Sequence, residues 1–262
     1  MVGPTNLMIM KKILFTLCAL MAALTCYGQK VEKIFDEAAL YYDAGDYEKA
    51  IPLLEKCLMK KYYSEGNIYY MLSESYNNIG DKSKRKLYAV RGLENFPQNR
   101  FLLLEIIEIY LEENDTDRAL RYLEQALYVE PSNASLYYVK GTIYLEKGDT
   151  KAAIDAFKQC TIVDPQFEHG LTQIGVYYYN KAIELQNLAA NELDDDKYNR
   201  LLEEMNDNLV NSCETLEKAF SVTKDLSIKI SIAEYLYNIY NHFSDEEQAD
   251  FYRSYMESGG EI

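Results

Sequence analysis

The chain has 262 residues, 48% of them hydrophobic, with 27 Lys and Arg set against 42 Asp and Glu for a net charge of −15. That hydrophobic share excludes a natively disordered chain. The acidic balance argues against a surface built to hold nucleic acid or anionic lipid headgroups, and it favours basic or neutral partners.

The N-terminal stretch reads as a targeting segment. Lys11-Lys12 is followed by Ile13 to Leu24, a run without charge. This is a positive n-region with an h-region too short to span a bilayer. Met10 fits as the start of that signal. Cleavage after Gly28 would leave the small residues Cys26 and Gly28 at the recognition positions and Gln29 as the mature N-terminus. Residues 1–28 are therefore read as a signal peptide and 29–262 as one domain. The expected location is periplasmic or secreted. A second route is lipidation of Cys26, giving an outer-membrane lipoprotein. Ala23-Leu24-Thr25 resembles a bacterial lipobox only loosely, with Thr25 where Gly, Ala or Ser is usual. Membrane contact is expected only if Cys26 is lipidated. Beyond the signal remain Cys57, Cys160 and Cys213, an odd number. They are expected to be small buried thiols without a Cys57–Cys160 bridge, because three repeats separate those two.

The rest of the chain is periodic. Tyr41, Tyr76, Tyr110, Tyr144 and Tyr178 recur at intervals of 35 and then 34 residues. Four residues after each of the first four stands a turn signal: Gly45-Asp46, Gly80-Asp81, Asn114-Asp115 and Gly148-Asp149. Pro97, Pro131 and Pro165 recur at the same interval, as does Ala119 with Ala153. Such a period describes a helix–turn–helix unit stacked on copies of itself.

In order, the first unit (about 31–64) pairs Ile34, Ala38 and Tyr41 with Ala50, Leu54 and Cys57. The second (about 66–99) has Tyr69, Leu72 and Tyr76. Its second helix carries Arg85 where alanine is expected, so packing should shift onto Tyr88 and Ala89. The third (about 100–133) has Leu103, Ile106, Ile107 and Tyr110 with Ala119, Leu123 and Ala126. The fourth (about 134–167) has Tyr137, Gly141 and Tyr144 with Ala153, Phe157 and Cys160. All of these lie at helical spacing.

The fifth unit (about 168–224) carries an insertion of 25 residues relative to the fourth. Tyr178, Ala182, Leu185, Ala189 and Leu193 extend its first helix. Tyr198, Leu202, Met205, Leu209, Ser212 and Leu216 form a heptad-like seam. The expectation is a lengthened antiparallel hairpin protruding by roughly 15–20 Å. A last pair (about 225–257) opens with Leu226, Ile230, Ala233 and Tyr237, and Ser244-Asp-Glu-Glu247 reads as a capping box.

The stretch Ala39 to Ile51, with its Gly45-Asp46 turn and Ala50, closely resembles the tetratricopeptide repeat (TPR) consensus. The 34-residue recurrence extends that resemblance over about Val31 to Met256. The hairpin insertion resembles exported TPR proteins of the Bacteroidetes. The implied fold is all-α, a right-handed TPR α-solenoid of about five to six helix pairs with an extended hairpin in repeat 5. In TPR proteins the first helices line a concave groove. The resemblance places Tyr42, Tyr70, Glu74, Asn77, Glu105, Glu108, Tyr138, Glu146 and Tyr179 there. The acids stand where domains that clamp a peptide carboxylate use Lys, Arg and Asn.

No residue set points to catalysis, a metal or a cofactor. His169 and His242 lack ligand spacing, there is no phosphate loop, and Asp194–Asp196 lacks the pattern of a calcium loop. The function implied is an exported protein-binding scaffold or adaptor. Its partner would be a basic or basic–aromatic protein segment. The alternative is a TPR lipoprotein component of an outer-membrane or envelope assembly machine.

Overall fold

The structure is a computed structural model that describes residues 30–62 and 64–261. The proposed signal peptide, the Gln29 start and Cys26 lie outside the described residues. Two compact units are present, the first ending at Val129 and the second beginning at Glu130. Each is a stack of antiparallel helix pairs, without a strand among the described residues.

Unit 1 contains α1 (residues 30–43), α2 (Tyr47–Met59), α3 (Asn67–Asn78), α4 (Lys82–Asn95), α5 (Arg100–Glu112) and α6 (Thr116–Val129). Unit 2 contains α7 (Ala134–Glu146), α8 (Thr150–Val163), α9 (Glu168–Ala189), α10 (Asp195–Val222), α11 (Leu226–His242) and α12 (Glu246–Glu257).

The periodic residues build the turns. Gly45, Gly80 and Gly148 have φ of +74°, +82° and +75°, and Asn114 takes the same left-handed region at +57°. Only Gly enters it without strain, and Asn tolerates it best among the rest. The N–H of the following Asp then reaches back to the periodic tyrosine: Asp81 to the Tyr76 carbonyl at 2.8 Å, Asp115 to Tyr110 at 2.8 Å, and Asp149 to Tyr144 at 2.9 Å. Each of those aspartates also caps the next helix, accepting from Lys84, Arg118 and Ala152 N–H at 3.0 Å. One Gly/Asn-Asp pair thus ends one helix and starts the next.

The last pair uses the same device one residue away from expectation. Ser244 is not the cap. It occupies the left-handed position at φ +58°, and Asp245 accepts from Gln248 N–H at 3.2 Å. Asp245 N–H returns to the Tyr240 carbonyl at 3.0 Å, so Tyr240 is the periodic tyrosine of this pair.

Small residues let the helices close up. Ala38, Ala50, Ala119 and Ala153 are fully buried. A Cβ on Gly141 would lie 2.4 Å from the Phe157 ring, and one on Gly175 would lie 2.5 Å from Leu216. The fifth pair is longer than its predecessor: α9 has 22 residues and α10 has 28, against 13 and 14 for α7 and α8. Ala182 and Leu185 share one buried cluster with Met205, Leu209 and Leu216, as the seam predicts, and Ala189 is buried as well. Leu193 departs from it. The helix ends at Ala189, and Leu193 sits in the connection 97% exposed.

Candidate interaction site

In unit 1 the first helices α1, α3 and α5 present one open face. Tyr42 on α1 donates its hydroxyl hydrogen bond to Glu74 on α3. Tyr70, one turn before Glu74, lies near enough for that carboxylate to perturb its phenol. Burial, then Glu74, pushes the Tyr42 phenol up, and the same causes raise Tyr70 to about 12. Both phenols therefore stay neutral, and the carboxylate holds the Tyr42 ring in place. The Tyr70 ring lies 5.4 Å from Phe101 on α5. Phe101 and Leu104 are 39% and 42% exposed, with Glu108 beyond them at 63%. Asn77 is exposed at the end of α3.

Glu105 requires correction. Expected in the open groove, it is only 7% exposed. It turns away to Arg85, whose Nε donates to its Oε1 at 2.8 Å, while Ser73 Oγ lies 2.8 Å from the same oxygen. Arg85, 1% exposed, also donates from Nη1 to Glu112 at 2.6 Å. Glu108 Oε2 lies 3.3 Å from Nη2 but off the hydrogen-bonding line, leaving Nη2 without a hydrogen-bond partner. Burial alone would lower the arginine pKa, but the carboxylates outweigh it and the net shift is upward. The packing shift expected around Arg85 is present: Ala89 is fully buried and Tyr88 stacks on Tyr76 at 5.5 Å.

In unit 2 the first helices α7, α9 and α11 carry an uncharged aromatic face. Tyr138 lies 5.7 Å from Phe157, 5.7 Å from Phe167 and 5.5 Å from His169. With Thr172, Ile228, Ser231 and Tyr235 it lines a shallow cleft of about 250 Å³. Tyr179 packs edge-on against Tyr235 at 5.0 Å, and burial, then Tyr235, raises its phenol. Glu146 is exposed at the end of α7. Among the described residues no group of three or more His, Cys, Asp or Glu has a geometry able to hold a metal ion.

Tetratricopeptide repeat models match residues 106–170 and 35–59. The fold is also that of a tetratricopeptide repeat protein from Parabacteroides merdae ATCC 43184: TM-score 0.53, 16% identity, 88% of this chain and 94% of that one. The chain belongs to the tetratricopeptide repeat family. Other TPR structures share the fold at similar distance. PilW, described as a widely conserved type IV pilus biogenesis factor, gives a TM-score of 0.54 at 15% identity, over 88% of this chain and 93% of its own. MamA gives 0.51 at 18% identity, over 69% and 95%. No curated protein sequence matches the chain significantly. At these identities the likeness is one of fold.

In the TPR register Glu105 falls at an inward position. Glu108 stands 34 residues after Glu74, but Glu105 stands 34 after Met71, which is 8% exposed. Position by position, Tyr70 corresponds to Leu104, and Asn67 to Phe101. Phe101 and Leu104 were therefore the open residues of this repeat, and the 34-residue offset was the signal that marks them. Of the expected TPR groove residues, Tyr42, Tyr70, Glu74, Asn77 and Glu108 lie on the first helices of unit 1. Tyr138, Glu146 and Tyr179 lie on those of unit 2.

Proposed function

We propose that the chain is a protein-binding scaffold whose unit 1 face holds a basic–aromatic segment of a partner protein. Membership of the TPR family supports the scaffold reading. The observation that carries the finer reading is Glu74 bonded by Tyr42, with the Tyr70 ring packed on Phe101, beside exposed Leu104 and Glu108. Apolar surface set among carboxylates suits a Lys or Arg side chain. Its stem lies on the rings, its charge meets Glu74 and Glu108, and a cation–π contact adds about 0.5–2 kcal/mol. Affinity should fall as salt rises.

The test is capture of a partner from cell envelopes, followed by titration against Glu74→Gln/Glu108→Gln. Glu108 is exposed and Glu74 half-buried, and Gln keeps the acceptor for Tyr42. Weaker binding with a flattened salt dependence supports the reading. Unchanged affinity at low and high salt sinks it. Glu105 is unsuitable for this experiment because changing it breaks the Arg85 cluster.

We infer that the protein is exported. The support is the Lys11-Lys12 pair ahead of the apolar run in the sequence. No described helix is long and apolar enough to cross a membrane. N-terminal sequencing of native protein should return Gln29. An acylated Cys26 would replace this with the envelope-lipoprotein reading, and a cytoplasmic chain starting at Met10 would defeat both.

A further inference from the structure

The lengthened hairpin leaves a step in unit 2. The far half of α9 continues beyond the turn that joins α7 to α8. A cleft of about 650 Å³ opens there, with Leu145, Ile154 and Phe157 on one side and α9 on the other. The wall supplied by α9 includes Gln173, Asn180 and Asn187, each seven residues after the last, and so on one helix face. Their three carboxamides make no hydrogen bond within the described residues. Lys181, also in the cleft, is paired with Glu204 at 3.0 Å. That leaves Glu184 as the cleft's unpaired charge.

We propose that this step is a second docking site, for an extended segment of a partner protein in a polyproline-II-like conformation, carrying an apolar residue and a Lys or Arg. Three arguments select this occupant. A carboxamide offers a donor and an acceptor together, the complement of a peptide group. A bound helix would satisfy its own peptide groups and leave the three amides idle, whereas an extended chain brings unpaired N–H and C=O groups. The spacing also fits. Seven helical residues rise about 10.5 Å, close to the roughly 9.3 Å over which a polyproline-II chain repeats its facing. A β-strand repeats its facing about every 6.7 Å, out of step with the amides. The apolar floor takes the apolar side chain, and Glu184 complements the cation. This site is independent of the unit 1 face, so either can fail alone.

The experiment titrates the purified chain with two pools of fluorescein-labelled, acetylated and amidated decapeptides, read by polarisation. One pool is Pro-rich with Leu, Lys and Arg randomised. The other is Ala-rich and helix-forming, with the same Leu and cation content. The Pro-rich pool should bind. Asn180→Leu/Asn187→Leu should weaken it about tenfold or more, the loss of two neutral hydrogen bonds. Glu184→Gln should weaken it and flatten its salt dependence, and Ile183→Arg should block it by crowding and charge. Glu74→Gln/Glu108→Gln, in unit 1, should leave it unchanged. A melting curve by circular dichroism checks that each variant is folded. Preference for the helical pool, equal binding by the double amide variant, or no binding by either pool would overturn the proposal.

Discussion

Arg85 Nε lies 2.8 Å from Glu105 Oε1, and both side chains are almost wholly removed from solvent. An arginine where the repeat expects a small residue is met, in the packing between α4 and α5, by a glutamate at a position that is also buried in the preceding repeat, where Met71 stands. The pair joins two successive repeats of unit 1, and its energetics are testable.

Arg85→Ala should destabilise the chain by about 3–5 kcal/mol, because it strands a buried carboxylate. Arg85→Met/Glu105→Met, which removes both charges and keeps the volume, should lose far less or be neutral. Urea denaturation of the two variants checks this. Equal losses would mean the pair contributes only through packing.

Leu123 is fully buried in the third helix pair. Leu123→Ala should lower stability by about 2–5 kcal/mol. In a stack of repeats the loss falls mainly on that repeat and its neighbours. A denaturation curve superimposable on wild type would show that α6 does not use this face.

Gly141→Ala should destabilise by about 1–2 kcal/mol despite the better helix propensity of alanine. Its Cβ would lie 2.4 Å from a Phe157 ring that is fully buried and cannot swing aside. Overpacking strain of about 1–3 kcal/mol exceeds the propensity gain of at most about 1. Phe157→Leu in the Gly141→Ala background should recover part of the loss, as read from thermal melts. A more stable single variant would contradict this packing.

Acid should weaken unit 1 through two carboxylates. The hydrogen bond from Arg85 holds Glu112 below its ordinary 4.5, and the Arg118 backbone N–H holds Asp115 below 3.8. Folded values below unfolded ones mean the stabilisation is full above the ordinary values and is lost as pH falls through the folded ones. Urea midpoints should therefore fall as pH drops from 5 toward 3, in a range of about two units set by these groups. Glu112→Gln should flatten part of that fall. A fall of unchanged steepness would assign acid sensitivity elsewhere.

The cysteines give the alkaline counterpart. Burial pushes the Cys57 thiol up and Cys160 to about 11. A raised folded value keeps its stabilisation below the ordinary 9.0 and loses it as pH rises through the folded one, here between 9 and 11. At pH 8 iodoacetamide should modify half-buried Cys213 before the fully buried pair. Rapid native labelling of Cys57 or Cys160 would show that those helix pairs open locally.

The sequence by itself determined the repeat frame. Gly45, Gly80, Asn114, Gly148 and their aspartates encode turns through local backbone preferences, which need no knowledge of distant contacts. The hairpin was legible for the same reason, since the Met205–Leu209–Leu216 spacing is a property of one helix. Tertiary structure alone decided which charged side chains meet. The 34-residue offset aligns Glu105 with Met71, but that its carboxylate meets Arg85, 20 residues earlier, is visible only in the fold. Ser244 reads as a cap until the Tyr240 turn places it one step early. The cleft beside Asn180 and Asn187 exists only because α9 outruns the pair before it. Local patterns fix which helix and which turn, while burial of a charge depends on what another repeat places within hydrogen-bonding distance.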